Sequence, residues 1–253
     1  MTKLQKVSLS AFSAFVVVAV ALSYLMGATL FEKQDKPWHM QPFVDADSLT
    51  AEYADSYKLL EKGQLLRLFA DSSRTTVSVL VDAWGVPFDI SLLREDFAVF
   101  NGVPHKEYLH RRLANRTKHA EFTELRLVSD STAPQPVLYL FGGDSLEYGR
   151  NLYIDSLGYG QHMFCQKCPD KAMFDALEMM LADGKTQNVA LTTQDSRFGN
   201  REKLHAVLWR VAEIARKYPH VRFIVQGTHR PTLGDPKIRR ESFAHWVPAV
   251  VLN

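Results

Sequence analysis

The sequence lacks most of the features that announce a function. No run of Lys or Arg exceeds two residues and the formal net charge is +2, with basic residues scattered among acids. That excludes the concentrated positive field on which nucleic-acid binding depends. Two cysteines in 253 residues are too few for a disulfide framework or a four-cysteine zinc site. There is no internal repeat and no low-complexity tract, which sets aside solenoids and disordered scaffolds. With 46% hydrophobic and 23% charged residues, the composition is that of a folded domain.

What is present first is an uncharged stretch. Residues 7–31, VSLSAFSAFVVVAVALSYLMGATLF, carry no charge, and about 20 apolar residues suffice to cross the hydrocarbon core of a bilayer. Lys3 and Lys6 precede the run, whereas Glu32, Lys33, Asp35 and Lys36 follow it and nearly cancel. The excess of positive charge therefore places residues 1–6 in the cytoplasm and sends the rest to the periplasmic or extracellular side. The other reading of the same run is a cleaved signal peptide, with Gly27-Ala28 as the nearest small-residue cleavage region. The sequence predicts one N-terminal transmembrane anchor over 7–31, a polar linker with two prolines over 32–47, and a domain over 48–253. Ser10, Ser13, Ala14, Ala21 and Gly27 would let the anchor pack closely against another helix. The expected partners are the membrane lipid bilayer and a membrane-protein complex, with no nucleic acid.

Within 48–253, short β-branched runs alternate with amphipathic periods. Tyr53, Tyr57, Leu60, Leu65, Leu68 and Phe69 fall at helical spacing and predict a helix over 48–70. Val77, Val79, Leu80 and Val81 form an apolar run ending at Asp82; similar runs end in Gly142-Gly143-Asp144, in Asp195 and in Thr228-His229, and WVPAVVLN closes the chain. Helices are expected over 170–183, with Gly184 behind it, and over 201–218, with Asn200 ahead and Pro219 behind, which are start and stop signals. Apolar strands alternating with helices specify an α/β fold, a mostly parallel sheet with helices on both faces.

Ligands of such sheets sit at the carboxyl ends of the strands. That rule selects Asp82, Asp144-Ser145, Asp195 and Thr228-His229, although each acid alone also fits a turn. A divalent ion bridging substrate oxygens needs carboxylates and imidazole together, and Asp82, Asp195, His229 and His245 are the candidate ligands.

Two family resemblances attach to these residues. VSVLVDAWGVPFD, together with FIVQGTHRPTLGD and ESFAHWVPAVVLN, resembles the first strand and the late block of the alkaline phosphatase/sulfatase superfamily. The resemblance covers residues 77–89 and 188–253. It implies a divalent metal such as zinc, calcium or manganese, a hydroxyl nucleophile at a helix start, for which Thr117 is best placed, and a phosphate or sulfate ester of the cell envelope as substrate. Where that family has Asp-His-Gly, this chain reads Thr228-His229-Arg230. The second resemblance is to the GDSL/SGNH hydrolases: LFGGDSLEYG is similar to their opening motif and implies Ser145 as nucleophile of a serine esterase. Those enzymes take a base from an Asp-x-x-His, and none of the nine histidines here follows an Asp at that spacing.

Two further features have plain readings. Cys165 and Cys168 in FCQKCPDK fit a local disulfide, a partial zinc knuckle or a redox pair ahead of a helix. KEYLHRRLANRTKHAEF reads as a solvated helix or loop, or as an anion-binding cluster. Three functions follow: a membrane-anchored, metal-assisted phosphate or sulfate ester hydrolase or transferase; a catalytically degenerate relative acting as a binding or scaffold component; and a GDSL-type serine esterase.

Overall fold

The structure, a computed structural model, describes residues 48–61, 74–112, 114–125, 137–144, 146–184, 188–232 and 241–253. The anchor expected over 7–31, the linker over 32–47 and Ser145 lie outside the described residues. Among the described residues no helix is long and apolar enough to cross a membrane.

The elements run α1 Ala51–Ser56, β1 Lys58–Leu60, β2 Thr76–Val81, α2 Ile90–Ala98, β3 His105–Arg111, α3 Thr117–Glu124, β4 Val137–Phe141, α4 Arg150–Tyr153, β5 Gln161–Phe164, α5 Asp170–Asp183, β6 Asn188–Thr192, α6 Arg201–Lys217, β7 Arg222–Gly227 and β8 Trp246–Leu252. The eight strands form one sheet in the order β1-β3-β8-β7-β2-β6-β4-β5. β8 runs antiparallel to both β3 and β7, while β2, β6, β7, β4 and β5 pair in parallel. The expected mostly parallel α/β sheet is the one observed.

Alternation along the strands builds two large cores, beside a smaller apolar cluster of Leu60, Tyr108, Ile224 and Ala249. Val77, Val79, Val81, Leu138, Leu140, Val189 and Leu191 point to one face and meet α2, α5 and α6. Leu80, Tyr139, Phe141 and Ala190 point to the other and meet α3, α4 and the turns around Leu157 and Tyr159. Each fully buried Val, Leu, Ile or Phe contributes about 1.5–3 kcal/mol. α6 follows the sequence closely: Leu204, Val207, Leu208, Val211 and Ile214 are buried, and the Asn200 side chain accepts the Lys203 N–H as its N-cap. α5 ends on Gly184 at φ 68°, a left-handed position that suits glycine.

Of the stretch expected as one helix over 48–70, residues 62–70 lie outside the described residues, and residues 48–61 behave differently. A helix ends at Ser56, and Lys58–Leu60 then pair in parallel with Tyr108–His110 of β3. Strand pairing at the sheet edge and burial of Tyr53 and Tyr57 override the local helical spacing. The basic stretch 106–122 is likewise not solvated throughout: it supplies β3 and α3, with His110 2% and Arg112 3% exposed.

Candidate functional site

The sheet brings the carboxyl ends of β2, β3, β4, β6 and β7 to one edge, because all five point the same way. Two close backbone approaches fix how the β2 and β7 ends meet. A Cβ on Gly227, the last residue of β7, would lie 1.8 Å from the Trp84 carbonyl oxygen, and one on Gly85 would lie 2.6 Å from Arg230 Cα. Only glycine lets these loops interlock. Ala83, directly after Asp82, takes φ 56°, a left-handed conformation that costs a non-glycine residue and persists where the surroundings impose it.

Asp82 is the centre of what results. It is 2% exposed, and its Oδ1 accepts from Thr117 Oγ1 at 2.8 Å and from Thr228 Oγ1 at 2.9 Å. His229 Nε2 lies 3.3 Å from the same oxygen and 3.2 Å from Thr117 Oγ1. The His229 Nδ1–H donates to the Arg230 carbonyl, which turns Nε2 toward the cluster. Oδ2 accepts from Arg197 Nε at 3.2 Å, and Arg197 reaches on to Glu147. The backbone is held as well: the Asp82 N–H donates to Thr193 Oγ1 at 3.0 Å and its carbonyl accepts from Ser196 Oγ at 2.6 Å. Burial alone would push the Asp82 carboxyl up; the hydrogen bond and charge of His229, the charge of Arg197 and the Thr117 hydroxyl outweigh it and hold it down at about 2.

Thr117 is the first residue of α3, and α3 is positioned by two buried carboxylates one turn apart. Glu124 pairs with Arg112, just after β3, at 2.6 Å; Arg112 Nη2 also donates to the Gln226 side chain at 3.0 Å and to the Gly227 carbonyl at 2.8 Å. Glu121, fully buried, pairs with Arg150 at 3.0 Å and accepts from the Tyr139 and Tyr153 hydroxyls. Arg150 stacks on the Phe141 ring, 3.7 Å from its centroid. Such pairs contribute little net stability but cost several kcal/mol when one partner is removed. They clamp α3 to β3, β4 and β7 and so hold Thr117 beside Asp82.

Of the residues selected from the sequence, Asp82, Thr117 and His229 are thus brought together. Asp195 is turned elsewhere: its Oδ2 accepts the Asp170 N–H at 3.0 Å, while Asp170 accepts the Gln194 and Asp195 N–H groups at 2.9 and 2.8 Å. Burial pushes the Asp170 carboxyl up to about 7, with the neighbouring Asp195 and Asp82 charges adding to it against those N–H bonds. His245 precedes β8, its carbonyl accepting the Arg112 N–H at 2.6 Å. Asp144 caps its own turn through the Leu146 N–H. Cys165 and Cys168 form a disulfide between β5 and α5. Arg197, Glu121 and Glu124 were not selected. Arg197 stands two residues after Asp195 in the same strand-end loop, so the strand-end rule applied to cations would have found it.

The resemblance implies a divalent ion here, and the donor set does not form a cage for one. Among the described residues no group of three or more His, Cys, Asp and Glu side chains converges. Neither Asp195 nor His245 therefore joins Asp82 and His229. Thr228 spends its hydroxyl proton on Asp82, and the second Asp82 oxygen already faces a guanidinium.

No protein-family model matches the chain, and no curated protein matches it. Solved structures do. A protein in the alkaline phosphatase superfamily from Vibrio parahaemolyticus aligns over 70% of this chain and 59% of its own, with TM-score 0.49 and 12% identity. The chain is similar to proteins of the alkaline phosphatase superfamily. The lipoteichoic acid synthase LtaP of Listeria monocytogenes aligns over 73% of this chain and 66% of its own, with TM-score 0.48 and 9% identity. The phosphoglycerol transferase GacH of Streptococcus pyogenes, solved with sn-glycerol-1-phosphate, aligns over 71% and 68%, with TM-score 0.47 and 11% identity. The chain thus spans between 59% and 68% of the length of these three.

Proposed function

We propose that this chain is a membrane-anchored, extracytoplasmic phosphate ester transferase/hydrolase-like domain in which the catalytic centre is closed, so that it serves as a binding or scaffold component of an envelope membrane complex. One observation carries the reading. The hydroxyl in the nucleophile position, Thr117, is 5% exposed and donates to a carboxylate that three other side chains also engage. A nucleophile needs a base to take its proton and room for an incoming ester; here the Thr117 hydroxyl proton points at Asp82, a carboxylate held at about 2 and so a weak base at neutral pH. The anchored, outward orientation rests on the uncharged run over 7–31 and the charges that flank it.

The convergence of Asp82, Thr117 and His229 also supports a second reading, an active ester hydrolase or transferase, and one experiment separates the two. The purified full-length protein is assayed on p-nitrophenyl phosphate, bis(p-nitrophenyl) phosphate and p-nitrophenyl sulfate with zinc, calcium or manganese. The scaffold reading expects no turnover that Thr117→Ala abolishes. Turnover lost in Thr117→Ala establishes the enzyme.

A further inference from the structure

We propose that Arg197 is the built-in cation of this site, its guanidinium supplying to Asp82 the positive charge that a divalent ion supplies in the family the sequence resembles. Asp82 and Glu147 are two carboxylates, 2% exposed and partly buried, facing one edge of the sheet. Burying such charges is costly unless a cation meets them. Arg197 meets both: Nε is on Asp82 Oδ2 at 3.2 Å and Nη1 is on Glu147, with the Arg197 side chain 18% exposed. A planar guanidinium can hold two carboxylates on separate donors, which a lysine ammonium does less specifically.

The polarity of the surrounding residues agrees. The loop after β6 presents Arg197 to Asp82 and turns Asp195 back onto the start of α5. At the β7 end, Thr228 stands where the family has its aspartate, and donates to Asp82 instead of adding a third ligand. Two strand ends that would each bring a carboxylate to an ion thus bring a hydroxyl and a guanidinium. With Thr117, Thr228 and His229 within 2.8–3.3 Å of Asp82 Oδ1, that oxygen has no sector left for an ion at about 2.0–2.2 Å. Both oxygens of the Asp82 carboxylate are met by protein donors, so the integrity of the cluster does not depend on metal.

This inference rests on the resemblance and not on the absence of turnover: metal-free, Thr117-dependent turnover would leave it standing and overturn the scaffold reading. The test uses the full-length protein purified without chelators. Expected are less than about 0.1 equivalent of zinc, manganese or calcium by elemental analysis, and a melting temperature that zinc, manganese, calcium or EDTA moves by less than about 2 °C, since an ion that binds the folded state must raise it. A stoichiometric divalent ion, or a larger shift, overturns the proposal. The double variant Arg197→Ala, Thr228→Asp removes the cation and restores a carboxylate. It is expected to gain zinc binding at least about 10-fold over wild type by calorimetry, the lower end of the scale on which changes around a metal ligand act. A folded double variant that binds zinc no better than wild type also counts against the proposal, and if it fails to fold the wild-type measurements decide alone.

Discussion

Thr117 Oγ1 and Asp82 Oδ1, 35 residues apart in sequence, lie 2.8 Å apart in a region closed to solvent. The contact joins the start of α3 to the end of β2, and it links a hydroxyl at a helix start to a carboxylate that four side chains engage. What it does to stability and to titration can be measured without knowing a substrate.

Replacing Thr117 by Val keeps the shape and removes the donor. One of the donors to a buried carboxylate is then lost, which costs about 1.5–3 kcal/mol for a hydrogen bond to a charged group. Thr117→Ser should retain most of the stability. Urea midpoints of the three proteins at pH 7 check this, and a Val variant as stable as wild type would show that the contact is incidental.

Asp82→Ala is the more severe change, because it leaves Arg197 with Glu147 alone and strands the hydroxyls of Thr117 and Thr228. Breaking a buried charge pair this way costs about 3–5 kcal/mol. The titration has a definite sign. The folded carboxyl is held at about 2, below its ordinary value of 3.8, so its contribution is complete above about pH 4 and is lost as the pH falls toward 2. The wild-type protein should therefore lose more stability than Asp82→Asn between pH 4 and pH 2, and parallel acid-unfolding curves would refute the assignment.

Asp170 runs the other way. Its carboxyl is pushed up to about 7, so the folded state holds a proton that the unfolded chain has released above about pH 4. The stability it contributes is full below that value and fades as the pH rises through 7, by about 3–4 kcal/mol at most. The difference in urea midpoint between wild type and Asp170→Asn should accordingly shift against wild type between pH 4 and pH 8. A difference that stays constant over that range would mean that the N–H groups of Gln194 and Asp195 outweigh burial at this carboxyl.

The parts of this arrangement that were legible are those with local signatures. β2, β6 and β7 are apolar β-branched runs, α5 and α6 carry a 3.6-residue period with Gly184 and Asn200 at their ends, and the strand-end rule picked out Asp82 and His229 directly. β3 was not legible, because HKEYLHR carries five polar residues in seven and buries one of them: His110 lies against Gln226, and Arg112, just beyond the strand, pairs with Glu124. Burial of a charge depends on a partner supplied by another element, and neither periodicity nor propensity encodes where that partner is. The same reason hid Glu121, whose mates Tyr139, Tyr153 and Arg150 come from β4 and α4. Arg197 has no local signature either, because the carboxylates it meets, Asp82 and Glu147, come from the end of β2 and the segment before α4.

One backbone contact lets the ends of β2 and β7 meet. A methyl group on Gly227 would fall 1.8 Å from the Trp84 carbonyl oxygen, a backbone atom that cannot rotate away. Gly227→Ala must therefore separate the β7 end from the loop after Asp82, and with it Thr228 and His229 from the carboxylate. The expected cost is about 3 kcal/mol or more, at the upper end for overpacked sites. Gly160→Ala is the control, since nothing lies within 4 Å of the added carbon there. If thermal unfolding finds the two variants equally stable, the interlock of the 82–85 and 227–230 loops does not hold the site together. If Gly227→Ala alone drops, and its His229 ring resonance shifts in NMR spectra while that of Gly160→Ala does not, the close approach of the two loops is what places His229 beside Asp82.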